Sequence, residues 1–184
     1  MRSALERSGG GLMFWRYSNR ADPRARRIAD RHYSRQSVGA EQFVQPGRCV
    51  VLYAGTSTGQ AYWVTSWPFP EYVKHAWPTA WQCSAFRNEG AAKASELIKQ
   101  AISATRSTFG DPPPAGLVTF IDRKKVKPFI IPKGKRKGQQ IYGQTFRQAG
   151  FVEVGETKGG LLVLQLTPDR MPVALRPLLE LEAA

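Results

Sequence analysis

Arg87-Asn88-Glu89-Gly90-Ala91-Ala92 is the stretch that decides the fold of this chain. The sequence around it predicts a strand over 81–88, and an apolar stripe at helical spacing predicts a helix over 92–107. A helix that opens with glycine and alanine bares backbone N–H groups at the positive end of its dipole, where a phosphate can bind. A glycine-capped helix start without a ligand is the plain alternative. The candidate cofactor contacts are Arg87, Asn88, Gly90, Ala91 and Ala92.

Positive charge is concentrated in two segments of the chain. The 184 residues carry a formal net charge of +13. Residues 123–137 contain eight Lys and Arg side chains and no acid, and residues 16–35 contain seven arginines against Asp22 and Asp30. Such a concentration indicates a polyanionic partner, most simply nucleic acid. A generally basic surface of a soluble protein is the alternative.

Length and composition favour one domain. A chain of 184 residues is long enough for one domain with a core and short for two. We expect a flexible N-terminus over 1–15, a single domain over 16–167 and a tail over 168–184. No apolar run reaches the length of a bilayer and no signal peptide is evident, so we expect no membrane partner and a cytoplasmic location. Cys49 and Cys83 are predicted to be buried free thiols.

The predicted elements follow a simple order: helix, hairpin, strand, phosphate turn, helix, strand, helix, strand, strand. Asp22-Pro23 predicts the first helix, because an acidic N-cap followed by proline is typical of a helix start. Gly150 predicts the end of the last main helix, because glycine adopts the left-handed cap. The predicted ranges are helix 23–32, strands 48–54, 60–67 and 81–88, helix 92–107, strand 116–122, helix 139–148, strands 151–156 and 160–166, and a tail helix over 173–181.

The spacing Arg87-x-x-Gly90-x-Ala92 resembles the pyrophosphate loop of the GNAT acyltransferases, and the element order is that of the GNAT fold. The pair Gly150-Phe151, directly after a predicted helix, resembles the corner that closes that fold. This resemblance covers about residues 48–166. It implies an α/β (α+β) fold with a mixed sheet of about six to seven strands, a V-shaped splay between central strands and helices on both faces. It also implies that a coenzyme A thioester or a related donor binds at the glycine turn.

Several motifs together resemble the Mom family of DNA-modification proteins, which occur in phages and bacteria. They are His32-Tyr33-Ser34, the segment 86–89, Asp122 and the Gly150-Phe151 corner. The resemblance implies an enzyme that transfers a carbamoylmethyl-type or acyl-derived group to the N6 amine of adenine in DNA and protects the DNA from restriction. It implies double-stranded DNA as partner, with the target base flipped out, in a bacterial or phage-infected cell; a homodimer stays open. The alternatives are a GNAT-type N-acyltransferase acting on a small amine, a protein or RNA, and a non-catalytic nucleic-acid-binding protein of the same fold.

The resemblance suggests roles for particular side chains. Adenine N6 is a poor nucleophile, so Asp122 or His32 is expected to accept its proton. Tyr33 is expected to stack on the extruded base or to supply a proton, and Ser34 to orient either group. Many GNAT enzymes have a tyrosine general acid at the position of Phe146 here, so either Tyr142, one turn earlier, replaces it or the leaving group is protonated otherwise.

A metal site is left open by the sequence. The Mom resemblance raises iron as a cofactor, and His32 and Asp122 are its two candidate ligands. Two ligands are too few to define a site, and no His/Cys cluster adds to them.

The nucleic-acid contacts are expected from two kinds of residue. Basic residues, many of them in the segment that directly follows Asp122, are expected to grip phosphates, although that segment could also be a solvated loop. Aromatic residues flanked by prolines are expected to stack on bases, whereas aromatics on strands are expected to be mostly core. The candidates are Arg27, Arg31, Arg35, Trp67, Phe69, Trp77, Arg123, Lys124, Lys125, Lys135, Arg136 and Lys137.

Overall fold

The computed structural model describes residues 12–178. In this part of the chain, strands and helices follow each other in the order β1 (Arg16–Tyr17), α1 (Pro23–Ala29), β2 (Arg48–Gly55), β3 (Gln60–Trp67), β4 (Trp81–Glu89), α2 (Ala94–Phe109), β5 (Leu117–Ile121), β6 (Phe129–Ile130), β7 (Gln140–Ile141), α3 (Gln144–Gln148), β8 (Val152–Glu156) and β9 (Leu162–Leu166). Single 3-10 turns lie at Pro70–Tyr72 and Pro168–Arg170.

Seven of these strands form one mixed sheet in the order β1-β2-β3-β4-β5-β9-β8. All neighbouring pairs are antiparallel except β4 and β5, which run parallel with α2 as the connection between them. Strands β6 and β7 form a separate two-stranded hairpin. The predicted mixed α/β class is therefore confirmed.

Helices cover both faces of the sheet, and each face has its own apolar core. On one face, Leu97 and Ile98 of α2 pack with Trp63 of β3 in the larger core. On the other face, Ile28 of α1 packs with Tyr62 and other residues of the central strands. Full burial of one such aliphatic side chain contributes roughly 1.5–3 kcal/mol, so these two cores fix the helices on the sheet.

The pairing between β4 and β5 stops early. Three residue pairs join the two strands, the last of them Cys83 with Thr119. Beyond Cys83, β4 continues to Glu89 and pairs with β3 alone. Because the strands are joined at one end only, a gap opens at their carboxyl ends.

A β-bulge in β4 changes the direction of its side chains just before this gap. Val64 of β3 pairs with Ala85, but the next residue, Thr65, pairs with Cys83, so Ser84 is an extra residue. Side chains alternate along a strand, and one extra residue inverts the alternation. Cys83 therefore faces α2, whereas Ala85 faces α1.

Helix α1 begins as predicted and ends three residues early. The Asp22 carboxylate accepts a hydrogen bond from the Arg24 amide at 2.9 Å, and a proline follows the N-cap. The helix ends at Ala29, where the amides of Arg31 and His32 turn back to the carbonyls of the preceding turn. His32 and the residues after it therefore lie in a turn at the end of α1.

The helix predicted over 139–148 is wrong in its first half. Residues 140–141 form β7, and α3 begins only at Gln144. Gly143 separates them with φ +70°, and a Cβ on it would lie 2.5 Å from Ile121 Cδ1. A helix cannot continue through this left-handed conformation.

The two ends of the described chain pack against the domain. Residues 1–11, part of the N-terminus that we expected to be flexible, lie outside the described residues. Trp15, in the same predicted segment, is fully buried, and its indole donates to the Leu97 carbonyl at 2.8 Å.

The predicted tail helix is wrong over 173–178, which contains no helix, and residues 179–181 lie outside the described part. Proline at 172 and 177 opposes helix there, and the Leu178 amide donates to the Trp15 carbonyl instead. Within residues 12–178, no helix combines the length and apolar character required to span a bilayer.

Candidate active site

A cavity of about 690 Å³ lies in the gap between the carboxyl ends of β4 and β5. Phe129 and Ile141 of the β6–β7 hairpin and Phe146 of α3 line it from outside the sheet. His32 and Tyr33, at the end of α1, line it as well. Elements that are far apart in sequence therefore meet around one space.

This cavity passes through the sheet. Phe86 and Asn88 face α2, whereas Ala85 and Arg87 face α1, and all four residues line the cavity. A ligand on the α1 face and a ligand on the α2 face can therefore meet inside it. Such an arrangement suits the transfer of a group between two molecules, because neither has to cross the other.

Tyr33 reaches across the gap to the free edge of β5. Its hydroxyl donates to the Phe120 carbonyl at 3.3 Å and accepts from the Asp122 backbone amide. Burial raises the pKa of this hydroxyl, while the hydrogen bond from Asp122 acts in the opposite direction. The phenol therefore stays protonated at neutral pH and can donate a hydrogen bond.

His32 stands beside Tyr33 as a neutral imidazole. The two rings stack with centroids 4.6 Å apart. Burial, with the charge of Arg87 next, lowers the pKa of His32 to about 4. Nδ1 accepts from the Ser34 amide at 3.2 Å and lies 2.7 Å from Ser34 Oγ. Since a backbone amide only donates, the proton of the neutral ring is on Nε2.

Two arginines converge on Glu89 at the α1 face. The Arg31 guanidinium bonds both Glu89 carboxylate oxygens, and Arg87 Nε donates to one of them at 2.7 Å. Arg87 also donates to the Arg31 carbonyl at 2.9 Å. The hydrogen bonds from Arg31, and then those from Arg87, lower the pKa of Glu89 to about 2. This cluster keeps one net positive charge beside His32.

Arg87 therefore does not lie where the sequence motif suggested. The bulge at Ser84 directs it to the α1 face, and its guanidinium is bound to Glu89 and Arg31, whereas the glycine turn belongs to the α2 face. A contact between Arg87 and a phosphate at the glycine turn is not supported by this geometry.

The glycine turn is held in shape by its neighbours. Asn88 Oδ1 accepts from the Ala91 amide at 3.0 Å and Asn88 Nδ2 donates to the Ala92 carbonyl at 2.8 Å. Thr58 Oγ1 donates to the carbonyl of Gly90, whose φ is +85°. Asn88 thus shapes the turn with its side chain, and α2 begins at Ala94 rather than at Ala92.

Four backbone amides at the start of α2 have no acceptor within residues 12–178. They belong to Ala92, Lys93, Ala94 and Ser95, and no side chain caps this helix. The Ala91 amide, by contrast, is occupied by Asn88. Ala94 lines the cavity, so the positive end of the α2 dipole faces it. The predicted anion site therefore has free hydrogen-bond donors, and they are the amides of residues 92–95.

Asp122 and Tyr142, both expected to be catalytic, make structural contacts beside the cavity. Asp122 Oδ1 accepts from the Lys124 amide at 2.9 Å, so the carboxylate shapes the first turn of the basic segment. The backbone of Asp122, rather than its carboxylate, bonds to Tyr33. Tyr142 packs against the larger core, and its neighbours Ile141 and Gly143 line the cavity instead.

The donor set does not fit a metal site. In the described part of the chain, no group of three His, Cys, Asp or Glu side chains is arranged to hold a metal ion. Nδ1 of His32 is occupied by Ser34, and Oδ1 of Asp122 by the Lys124 amide.

The candidate nucleic-acid residues fall into two groups. Arg35 is nearly buried and binds Asp30 and two carbonyls, so its guanidinium stabilises the loop after α1. Trp67 packs on Trp81 and Phe109, and Trp77 is half-buried on the face that contains Val118, so neither is an open platform. In the second group the residues are exposed. Two of them form ion pairs, Arg31 with Glu89 and Arg123 with Glu156. The group consists of Arg27, Arg31, Phe69, Arg123, Lys124, Lys125, Lys135, Arg136 and Lys137.

Some residues of the site gave no sequence signal. Phe129 lines the cavity mouth although it lies in a segment notable only for its charge. Cys83 lines the cavity as a buried thiol, and burial raises its pKa, so it stays protonated. Thr56 and Thr58 hold the glycine turn from a hairpin 32 or more residues earlier in the chain.

No protein-family model, no curated protein and no solved structure matches this chain. The resemblances to the GNAT and Mom families therefore rest on the sequence motifs.

Proposed function

We propose that this protein is a DNA-modification enzyme of GNAT-like fold that transfers a carbamoylmethyl-type or acyl-derived group to the N6 amine of adenine. The observation that carries the proposal is the cavity that crosses the sheet between β4 and β5. A parallel pair that separates at this point, followed by a helix with free amides, is the arrangement that the GNAT resemblance implies. The two ligands would enter from the two faces.

The donor would bind on the α2 face. The free amides of Lys93 and Ala94 and the helix dipole suit the diphosphate of a coenzyme A thioester or a related donor. Such a donor, when bound, supplies an activated carbon for transfer. The chain's own contribution there is to bind the phosphates and to direct the rest of the donor along β4 into the cavity.

The base would bind on the α1 face, beside His32 and Tyr33. An amine that has attacked carries strongly acidic protons, so a weak base is sufficient to remove one. Ser34 Oγ, which lies 2.7 Å from His32 Nδ1, can pass that proton to the neutral imidazole. The Tyr33 ring can stack on the base while its hydroxyl keeps its hydrogen bond to the Phe120 carbonyl.

We favour DNA over other acceptors because the residues around the cavity mouth are positively charged. Residues 123–152 contain no acid, and their basic part begins immediately after β5. Lys127 and Phe129 from this segment line the cavity. Phosphates that flank an extruded base would meet these cations.

A direct test is to express the protein in bacteria, digest the cellular DNA to nucleosides and analyse them by mass spectrometry. A deoxyadenosine of increased mass is expected with the wild type and is expected to be lost with Ser34→Ala. Unmodified DNA in a host that makes the donor would contradict the proposal.

An ordinary N-acyltransferase is the second candidate, because the free amides on the α2 face do not depend on DNA. It predicts release of coenzyme A with a small amine, protein or RNA acceptor and no modified deoxyadenosine. A non-catalytic nucleic-acid-binding protein predicts neither product.

A further inference from the structure

The hairpin β6–β7 exposes two neighbouring apolar side chains at the cavity. Phe129 and Ile130 are 43% and 49% exposed. Phe129 pairs with Ile141, and both line the cavity. Ile130 is next in the strand and points to the opposite side of the hairpin, because side chains alternate. One of two equally exposed residues therefore stands at the cavity mouth, and the other faces away from it.

The hairpin holds Phe129 in a defined position. The Ile131 amide donates to the Gln139 carbonyl at 3.0 Å, and the Gly138 amide donates to the Ile131 carbonyl at 2.9 Å. These bonds extend the pairing of β6 and β7 to the tip of the hairpin. Phe129 is therefore presented on paired backbone rather than on an open loop.

The tip of the hairpin is strongly cationic. Lys133, Lys135, Arg136 and Lys137 are exposed within five residues, and Lys124, Lys125 and Lys127 precede the hairpin. The acids near this segment are Asp122 and Glu156, and Glu156 is occupied by Arg123. An apolar ring flanked by cations suits a duplex, because phosphates surround a stack of bases.

We propose that Phe129 is an insertion wedge, which enters the base stack at the place from which the target adenine is extruded. Removal of a base from a duplex leaves a gap and costs its stacking and pairing energy. A phenyl ring in that gap restores part of the stacking, and proteins use such apolar wedges at distorted steps. The cavity beside the ring receives the base, and the cations of the tip hold the flanking phosphates.

This inference rests on the proposed modification of DNA and goes one step beyond it. Phe129 would take no part in the transfer reaction itself. It would lower the free-energy cost of extruding the adenine from the duplex. A wedge is needed when the adenine is paired and is dispensable when the adenine is already unpaired. A residue that only shapes the cavity is needed equally in both cases.

The test compares two duplexes in which the target adenine lies opposite thymine or opposite an abasic site. Wild type, Phe129→Ala, Phe129→Leu and Ile130→Ala are assayed for modified deoxyadenosine, and melting curves check that each variant is folded. Phe129→Ala is expected to lower the rate on the paired duplex about tenfold, since alanine removes one stacking contact. On the abasic duplex it is expected to act within about twofold of wild type. Phe129→Leu is expected to be intermediate, and Ile130→Ala unchanged.

Fluorescence gives a second readout that needs no donor. With 2-aminopurine at the target position, wild type is expected to raise the emission of the paired duplex, and Phe129→Ala to raise it less. An equal loss of activity on both duplexes, or no loss on the paired one, would overturn the wedge. So would Phe129-dependent binding to phosphatidylglycerol vesicles without an emission change on DNA. If the wild type binds DNA but modifies none, and the emission still depends on Phe129, the proposed reaction fails and the wedge stands.

Discussion

The Tyr33 hydroxyl donates a hydrogen bond to the Phe120 carbonyl at 3.3 Å, across the gap where β4 and β5 no longer pair. The Trp81 amide donates to the Gly116 carbonyl at 2.9 Å, so every second carbonyl from Gly116 onward points towards β4. Phe120 is the second such carbonyl after Gly116, and among residues 12–178 no strand pairs with it on that side. Tyr33 therefore replaces a strand partner at the open end of the sheet.

Removal of this hydroxyl tests its role. Tyr33→Phe leaves the Phe120 carbonyl and the Asp122 amide without their partner, so we expect the free energy of unfolding to fall by about 1 kcal/mol. We expect modified deoxyadenosine to fall about tenfold, because these hydrogen bonds fix the position of the ring that stacks on the base. Mass spectrometry and urea unfolding measure the two effects.

The matched control is Tyr72→Phe. Tyr72 is 77% exposed, and its ring contacts that of Phe69. The same atom is removed outside the cavity, so neither stability nor product should change. If both variants lose the same amount of product, the Tyr33 hydroxyl has no special role in the site.

Local patterns were sufficient to predict most of the sheet. β3 has the predicted bounds, and β2 and β4 each extend one residue further. The N-cap Asp22 and the turn at Gly90 were also predicted, because a capping carboxylate and a glycine with positive φ are properties of a few neighbouring residues. These features need no knowledge of distant parts of the chain.

The site needed long-range information that the sequence does not contain. A strict alternation along β4 would direct Arg87 to the same face as Cys83; the bulge at Ser84 reverses this. The ion pair of Arg31 with Glu89 joins residues 58 positions apart. The sequence indicated both the His32 turn and the glycine turn, but it grouped Arg87 with the glycine turn, whereas in the structure Arg87 bonds residues beside the His32 turn.

Arg87→Gln separates the two assignments of Arg87. The charge of Arg87 lowers the pKa of His32, so its removal should raise that pKa from about 4. The value should stay below 6.5, because burial is the larger cause. Donor KM should remain within about twofold, since Arg87 lies away from the α2 amides. An NMR titration of the imidazole measures the pKa of His32, and steady-state kinetics measure the donor KM. A large increase in donor KM with an unchanged pKa would favour a contact between Arg87 and the donor phosphates.

Gly90→Ala tests the glycine turn. Gly90 has φ +85°, and a Cβ there would lie 3.1 Å from the Thr58 carbonyl oxygen. The free energy of unfolding of the variant should fall by about 1 kcal/mol, because alanine disfavours a positive φ. It should also bind the donor more weakly, because the amides that follow the turn shift.

Gly39→Ala is the control for this variant. Gly39 has φ +83° and nothing within 4 Å of the added Cβ. It should show a similar loss of stability with unchanged donor binding by calorimetry. Equal donor affinity in both variants would argue against an anion site at the start of α2.

The two histidines make stability depend on pH. The pKa of His32 is about 4 when folded and about 6.5 when unfolded, so between these values the unfolded chain binds a proton that the folded chain does not. The free energy of unfolding should therefore be unaffected above pH 6.5 and fall as the pH drops towards 4, by at most about 1.4 kcal/mol per pH unit. Burial lowers the pKa of His75 as well, by less. Urea unfolding at several pH values in this range gives the slope of the free energy of unfolding against pH. This slope should decrease more in His32→Asn than in His75→Asn. The reverse order would contradict the burial of His32.

The cationic tip should determine the salt dependence of DNA binding. Lys135, Arg136 and Lys137 are exposed, and each phosphate they contact releases counterions when the complex forms. Replacement of all three by Gln should weaken binding to any duplex and reduce the slope of log K against log salt by about 2.7, at about 0.9 per contact. Gln at Lys99, Arg170 and Arg176, which lie on α2 and in the C-terminal segment, removes the same charge and should leave the slope nearly unchanged. Filter-binding titrations at several salt concentrations measure these slopes. Because both triple variants remove the same charge, equal slopes would show a general effect of net charge and would exclude the hairpin tip as the site of phosphate contacts.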